Sequence, residues 1–162
     1  MSTSTEETFL QQLNQHVAIA HKISRVYQPD ADERADLVQE MIYQLWKAYP
    51  SFSGQSKFST WMYSVCLNTA LTYHRNAKRW RHEVLMPAHE QLPDSAPSDK
   101  EDASLQLLAA IADLAPLNKA VIILYLDGLS YEEIATVMGI TISNVSVRLV
   151  RIRKELEVRL KK

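Results

Sequence analysis

The residues best suited to recognition chemistry lie near the carboxyl end of the 162-residue chain. From residue 142 onward, apolar side chains recur at the spacing of one helical face, as Val145, Leu149, Ile152, Leu156 and Leu160. The other faces carry small polar, apolar and cationic side chains, namely Ser143, Asn144, Ser146, Val147, Arg148, Val150 and Arg151. Such side chains can bond base edges and phosphates, so the pattern is typical of a helix that enters the major groove of DNA.

The stretch before this helix has the features of a second helix and a tight turn. Ser130 and Glu133 stand at the spacing of a capping box, which satisfies two backbone N–H groups at a helix start. Gly139 suits a sharp turn, and Thr141 suits the cap of the following helix. The stretch therefore predicts a helix-turn-helix, although a helix pair with a glycine turn also occurs as a plain packing unit.

A second cationic cluster lies in the middle of the chain, although the net charge is only −1. Arg75, Lys78, Arg79 and Arg81 face the single acid Glu83 within nine positions. In the helix predicted over residues 59–81, one outer face carries a polar and then cationic row, formed by Asn68, Thr72, Arg75 and Arg79. This row is expected of a surface that lies along a nucleic-acid strand.

The loop before this helix, residues 49–57, combines aromatic and hydrogen-bonding side chains. Phe52, Ser53 and Gln55 lie in it, and Phe58 and Trp61 follow directly. Such a loop can hold an unstacked base by stacking and hydrogen bonding, although many such loops bind nothing.

Features of an enzyme are missing from the sequence. The single cysteine, Cys66, lies on an apolar helical stripe, which indicates a buried structural thiol. The five histidines show no metal-ligand spacing, and there is no glycine-rich phosphate loop. We therefore expect no catalytic residue, metal, cofactor or small-molecule substrate. The start of the chain lacks a basic and apolar leader, and no apolar run approaches about 20 residues, so we expect a cytoplasmic protein without membrane insertion.

The pattern as a whole predicts an all-α fold of two small helical domains joined by a flexible linker. Three glycines and no alternating strand patterns favour helices throughout. The first two helices are predicted over residues 8–27, with a stripe of Leu10, Leu13, Val17, Ala20 and Ile23, and over residues 32–47. Three prolines and five acids between residues 84 and 103 predict a linker, so the domains are expected at 1–83 and 104–162.

The second helix has one unusual face. Asp36, Gln39, Glu40 and Tyr43 are three or four residues apart and so form one exposed patch. This patch is either solubilising surface or the docking surface of a partner.

Several of these stretches resemble a known family. The sequences DLVQE (36–40), LW (45–46) and FSTWMYSVCLN (58–68) are similar to the second conserved region of bacterial RNA polymerase sigma factors. The sequences LDGLSYEEIATVMGI and NVSVRLVRIRKEL resemble their fourth region. Without counterparts of the first and third regions, the pattern resembles the extracytoplasmic-function (ECF) group.

The resemblance implies a transcription initiation factor without chemistry of its own. It implies that the patch of Asp36, Gln39, Glu40 and Tyr43 docks on core RNA polymerase, and that the helix over residues 142–160 reads the minus-thirty-five element of promoter DNA. The residues that would melt and hold the minus-ten element are Phe52, Ser53, Gln55, Phe58, Trp61, Asn68, Arg75, Lys78 and Arg79. Members of the group are commonly held inactive by an anti-sigma factor, which makes such a partner an expectation here.

Departures from the family pattern bear on promoter choice. Thr72 stands where the family usually has an acid, and Ser146 stands where it often has an arginine. Val147 and Val150 are apolar at positions that can face bases, so we expect contacts with thymine methyl groups and a T-rich upstream element.

Two rival functions fit parts of the pattern. A stand-alone helix-turn-helix regulator would bind DNA without polymerase. A helical adaptor would bind only proteins, and its DNA affinity would be weak and insensitive to salt.

Overall fold

The structure, a computed structural model, describes the backbone of residues 3–84 and 99–161, and the side chains of residues 3–73, 75 and 102–161. Within that part, the chain forms only helices, which confirms the all-α prediction. The helices are α1 (Thr3–Tyr27), α2 (Ala31–Ala48), a short 3-10 helix (Tyr49–Ser51), α3 (Phe58–Val84), α4 (Asp99–Ala112), α5 (Pro116–Leu126), α6 (Tyr131–Met138) and α7 (Ile142–Leu160).

The chain divides into two compact units, Met1–Glu83 and Val84–Lys162. Most of the expected linker, residues 85–98, lies outside the described residues. The sequence pattern predicted a linker up to residue 103. Helix α4, however, begins at Asp99, so residues 99–103 belong to a helix. The acidic residue types at this point favour the start of a helix, whose first turn carries partial positive charge.

The amino-terminal unit is built around α1, α2 and the first half of α3. Asp30 starts α2, because its carboxylate accepts hydrogen bonds from the backbone N–H groups of Asp32 at 2.9 Å and Glu33 at 3.1 Å. The core side chains are fully buried and come from all three helices, including Ile23, Leu37, Met41, Leu45, Met62 and Leu67.

The expected stripe of α1 is wrong at its first position. Leu10 is 51% exposed, whereas its neighbour Phe9 is 1% exposed. The ring of Phe9 lies 5.4 Å from Trp46 and 4.8 Å from Tyr49. The aromatic ring removes more apolar surface from water than leucine does, so the buried stripe of α1 begins one residue earlier.

The carboxyl-terminal unit packs α7 against α4, α5 and α6. Val145, Leu149, Ile152 and Leu156 are buried as expected. Leu160 is not, because α7 continues one turn beyond Leu156 and leaves this last leucine 46% exposed.

The predicted helix-turn-helix is present in α6 and α7, whose axes differ by 102°. Ser130 and Glu133 form both hydrogen bonds of the capping box, each at 3.1 Å. Gly139 ends α6 in the left-handed region at φ 68°, and Thr141 Oγ1 then caps α7 by accepting from the Asn144 N–H at 3.1 Å. These local bonds fix where each of the two helices begins and how the chain turns between them.

In the described part of the chain, no single helix combines the length and the apolar character needed to cross a membrane; α6 and α7 reach them only as a bent pair.

Substitution of Ser130 by alanine removes the capping hydroxyl, so we expect the free energy of unfolding of the carboxyl-terminal unit to fall by about 1 kcal/mol. The measurement is urea denaturation followed by far-ultraviolet circular dichroism. All three tryptophans precede residue 83, so their fluorescence should show an unchanged transition for the other unit. Thr136→Ala is the control, because its hydroxyl bonds only the Glu132 carbonyl of the same helix. Equal losses in the two variants would contradict the capping role.

Cys66 is fully buried, and burial raises the pKa of its thiol from 9.0 to about 12. The folded chain therefore keeps this proton between pH 9 and 12 while the unfolded chain releases it. Proton binding by the buried Cys66 thiol therefore favours the folded state fully below pH 9, and this stabilisation is lost as the pH rises towards 12. At pH 8 we expect a disulfide reagent to label the folded chain at least about a hundredfold more slowly than the chain in urea. Cys66→Ala gives the background, and rapid labelling of the folded chain would contradict this burial.

Candidate nucleic-acid and partner interfaces

An open groove of about 800 Å³ lies on the amino-terminal unit between α2 and α3. All four residues of the predicted partner patch line it, and two residues of the predicted nucleic-acid row, Asn68 and Thr72, line its other side. The sequence pattern placed these two sets on separate helices. The structure brings them together in one groove, whose lining also includes Gln44, Thr69 and Tyr73.

The groove is acidic. Burial raises the pKa of the Tyr73 hydroxyl, and the negative charges of Asp36, Glu33 and Glu40 raise it further. The Glu40 carboxylate is held in place, because Gln44 Nε2 donates a hydrogen bond to its Oε1 at 2.9 Å. Tyr43 is 54% exposed at the same surface. Together these groups offer negative charge and an accessible aromatic ring, which suits a partner surface carrying cations.

Aromatic rings anchor the loop that follows α2. The ring centroid of Phe52 lies 4.9 Å from Trp61 and 6.0 Å from Phe58, and Trp61 lies 6.1 Å from Tyr49. The Tyr49 hydroxyl donates a hydrogen bond to Gln12 Oε1 at 3.2 Å, which ties the cluster to α1. The loop base is therefore part of the packed interior of this unit.

The residues predicted to contact the minus-ten element fall into three groups. Phe58 is 6% exposed, so it packs beneath the loop and leaves little of its ring accessible to a base. Phe52 and Trp61 are half-buried, whereas Ser53, Gln55, Asn68 and Arg75 are exposed. The side chains of Lys78 and Arg79 lie outside the described residues.

Beyond the aromatic cluster, the loop tip is a short exposed stretch, residues 53–57. Gly54 within it has φ 76°, a conformation that side chains with a Cβ rarely adopt. The tip therefore presents polar side chains and backbone on a turn whose ends are held by packed rings.

The outer face of α7 is exposed along the predicted reading surface. Ser143, Asn144, Ser146 and Arg151 are exposed, and the side chains of Val147 and Val150 are 50% and 51% exposed. The stripe directly opposite is buried almost completely, with Val145 and Ile152 at 0% and Leu149 at 1%. The packing that fixes α7 therefore also fixes which side chains it presents to a ligand.

Arg148 differs from its neighbours on this face. Its Nε donates a hydrogen bond to Asn144 Oδ1 at 2.7 Å, and its Nη1 donates another to Asn118 Oδ1 at 3.0 Å. The three side chains line a second groove, of about 420 Å³, with Ser143, Val147 and Arg151. Asn118, in the first turn of α5, was not singled out from the sequence, because a lone asparagine carries no recognisable pattern.

Further cations of α7 are bound to the protein itself. Arg153 lies over the Tyr125 ring at 4.9 Å and donates a hydrogen bond to the Tyr125 hydroxyl. Arg159 pairs with Glu155 at 3.1 Å and with Asp113 at 3.5 Å. These contacts join α7 to α5 through Tyr125, and to Asp113, the residue that follows α4.

Two family models match the chain, one in each unit. The model described as Sigma-70 region 2 matches residues 13–80, and the model described as Sigma-70, region 4 matches residues 104–156. The first match contains the acidic groove and the anchored loop, and the second contains the helix-turn-helix.

Known proteins similar to the chain are sigma factors. It is 30% identical to the ECF RNA polymerase sigma-E factor of Escherichia coli strain K12, over 86% of this chain and 78% of that protein. It is also 30% identical to the sigma-E factor of Haemophilus influenzae, over 75% of this chain and 71% of that protein.

A solved structure has the same fold. It is the sigma factor RpoE of Bartonella quintana, crystallised with the anti-sigma factor NepR, with a TM-score of 0.76, 22% sequence identity and coverage of 96% of this chain and 98% of that one. With both family models and the sigma-E relatives in agreement, the chain belongs to the ECF group of bacterial RNA polymerase sigma factors and directs transcription initiation by core RNA polymerase.

Proposed function

We propose that three surfaces of this sigma factor divide the work of initiation. The groove between α2 and α3 binds core polymerase, the anchored loop with the α3 face binds the minus-ten element, and the exposed face of α7 reads the minus-thirty-five element. All three act by non-covalent binding in the cytoplasm, where polymerase and DNA are found.

The observation that carries the proposal is the division of α7 into a buried and an exposed face. Four apolar side chains attach one face to the unit, and the other offers hydroxyl, amide, guanidinium and apolar groups to solvent. These are the group types that read base edges in the major groove. A buried apolar stripe alone would indicate packing. Two half-exposed valines between polar side chains leave apolar surface in contact with water, and contact with bases would cover that surface.

The groove supports polymerase binding through its charge. Asp36 and Glu40 belong to one acidic field that also reaches Tyr73. Exposed carboxylates at an interface chiefly guide association and orientation, so a partner with cationic side chains fits this surface. The exposed ring of Tyr43 adds apolar contact area beside the charges.

The anchored loop supports minus-ten binding through its rigidity. Extraction of a base from duplex DNA costs a few kcal/mol, and a preformed pocket recovers this free energy only if it is not itself reordered on binding. Rings of the cluster hold the loop base, while Ser53, Gln55 and Asn68 remain exposed to bind the released base.

The protein itself supplies no covalent step in this mechanism. The Cys66 thiol, buried and with a raised pKa, lacks the thiolate character of a nucleophile. Promoter opening therefore draws its free energy from contacts with DNA and polymerase.

An anti-sigma factor is part of the proposal. RpoE was solved with the anti-sigma factor NepR, and a second solved structure of the same fold, with a TM-score of 0.69 and 19% sequence identity, is CnrH with the cytosolic domain of CnrY. A regulator that covers the acidic groove or the α7 face would keep this chain from polymerase or promoter.

The test of this function is run-off transcription from a pool of randomised promoters with bacterial core polymerase. Specific transcripts should appear only when the chain is added. Duplex binding without any polymerase-dependent transcript would instead favour the stand-alone helix-turn-helix regulator.

In the same assay, we expect the double charge reversal Asp36→Lys and Glu40→Lys to lower the transcript yield at least about tenfold, because like charges would now face each other across the polymerase interface. Each single reversal should have a smaller effect. Glu7→Lys, which reverses one exposed carboxylate on α1, is the control for the single reversals and should keep the yield. An unchanged transcript yield from the double variant would show that the groove is not part of the polymerase interface.

The upstream element of the selected promoters should be T-rich, because Val147 and Val150 present methyl groups to thymine. Val150→Ala removes two methyl groups; with one of them against the thymine methyl, the preference for thymine at one position should fall by about fourfold, the ratio that corresponds to one buried methylene group. Val158→Ala, at a valine that is 60% exposed further along α7, is the matched control. Predominance of G and C in the upstream half would refute this reading of the two valines.

A further inference from the structure

The Arg148 guanidinium connects two helices of the carboxyl-terminal unit. Asn144 lies one turn before it on α7, and Asn118 lies 30 residues earlier on α5. Hydrogen bonds from a guanidinium are charge-assisted, and two of them hold this side chain partly buried. Arg148 is thus positioned by the protein before any DNA is bound.

Chemistry decides which end of each amide faces Arg148. Arginine has only donors, so the atom opposite each of its N–H groups must be the amide oxygen. Both asparagines therefore turn Oδ1 towards Arg148 and direct Nδ2 elsewhere. For Asn144, which is exposed, the amide hydrogens are then directed away from Arg148 and are available to a ligand.

This orientation bears on base recognition. An unconstrained asparagine reads adenine with both ends of its amide, accepting from N6 and donating to N7. In Asn144 one lone pair of the oxygen is taken by the Arg148 cation beside it, so its two amide hydrogens are the groups it mainly offers to DNA. It then suits acceptor atoms such as guanine O6 and N7 or thymine O4.

We propose that Asn118 is a positioning residue for promoter recognition. It holds Arg148, and Arg148 in turn fixes the Asn144 amide as a hydrogen-bond donor directed to the DNA. The inference rests on the proposed role of α7 in reading the upstream element. It makes a residue of α5 a determinant of base preference through a chain of two hydrogen bonds.

The test is selection of bound duplexes from a library with a randomised upstream element, using the full chain with and without core polymerase. For the unaltered chain, we expect one position to prefer guanine or thymine over adenine on the strand that Asn144 reads. Asn118→Leu, which keeps the size but removes the acceptor, should reduce that preference about fivefold, the ratio expected for one hydrogen bond. Asn118→Asp retains the acceptor oxygen and should keep the preference. If Asn118 only stabilised the fold, the base preference would not depend on an acceptor at this position.

A double-mutant cycle locates the effect. In the Asn144→Ala background the preference should already be lost, and Asn118→Leu should then change nothing further. Leu117→Ala, at an exposed residue of the same helical turn, is the control for α5 and should leave the preference unchanged. Thermal unfolding monitors the fold, and Asn118→Ala provides the same comparison without added bulk if the leucine variant does not fold.

Two results would overturn the proposal: an unchanged preference in Asn118→Leu, or an equal change in the presence and absence of Asn144. Polymerase dependence is a separate readout. Selection that is indifferent to polymerase would count against the proposed initiation function, while the preference at the Asn144 position still decides the role of Asn118.

Discussion

The structure depends most on the burial of a single apolar face in the helices that carry the candidate sites, α2, α3 and α7. In α7, burial of Val145, Leu149, Ile152 and Leu156 holds the helix against α4, α5 and α6, and the helical period then decides which residues remain outside. A one-residue shift of this stripe would rotate the exposed face by about 100° and remove the polar groups from their places. The stability of this unit and the set of side chains that α7 exposes are consequently two results of one packing pattern.

The amino-terminal unit follows the same constraint with larger side chains. Phe9, Trp46, Tyr49, Phe52 and Trp61 form a continuous set of ring contacts that extends from α1 to the loop before α3. Rings bury a large area at a low cost in side-chain entropy, so a small unit can anchor a loop without extra secondary structure. The loop tip remains exposed because its base is already packed.

Much of this architecture could be predicted from the sequence. Helical periodicity located the helices, and the Ser130 and Glu133 pair located the start of α6. The errors arose where periodicity is ambiguous: Leu10 and Phe9 are adjacent apolar residues, and only packing against Trp46 decides which is buried. Leu160 fits the stripe of α7, but no sequence pattern indicates that the buried part of this stripe ends at Leu156.

The sites were harder to predict than the helices, because they depend on contacts between distant residues. The acidic patch and the Asn68 row could each be seen on their own helix, yet only the fold shows that they share a groove. Likewise, no sequence pattern indicates that Arg148 donates a hydrogen bond to Asn118 on another helix. Phe58 is a residue type that can stack on bases, but it is 6% exposed and packs against Phe52 and Trp61. Composition suggests what a side chain can do, and burial decides whether it is available to do it.

The shared groove between α2 and α3 has a thermodynamic consequence. Its acidic wall and its Asn68 wall enclose one volume, so a partner bound to one wall alters the surroundings of the other. With the proposed roles of the two walls, any change that polymerase makes in the affinity of this groove for DNA is matched by an equal change that DNA makes in its affinity for polymerase. Such reciprocity would let the two ligands reinforce each other in the assembled complex while each alone is held more weakly.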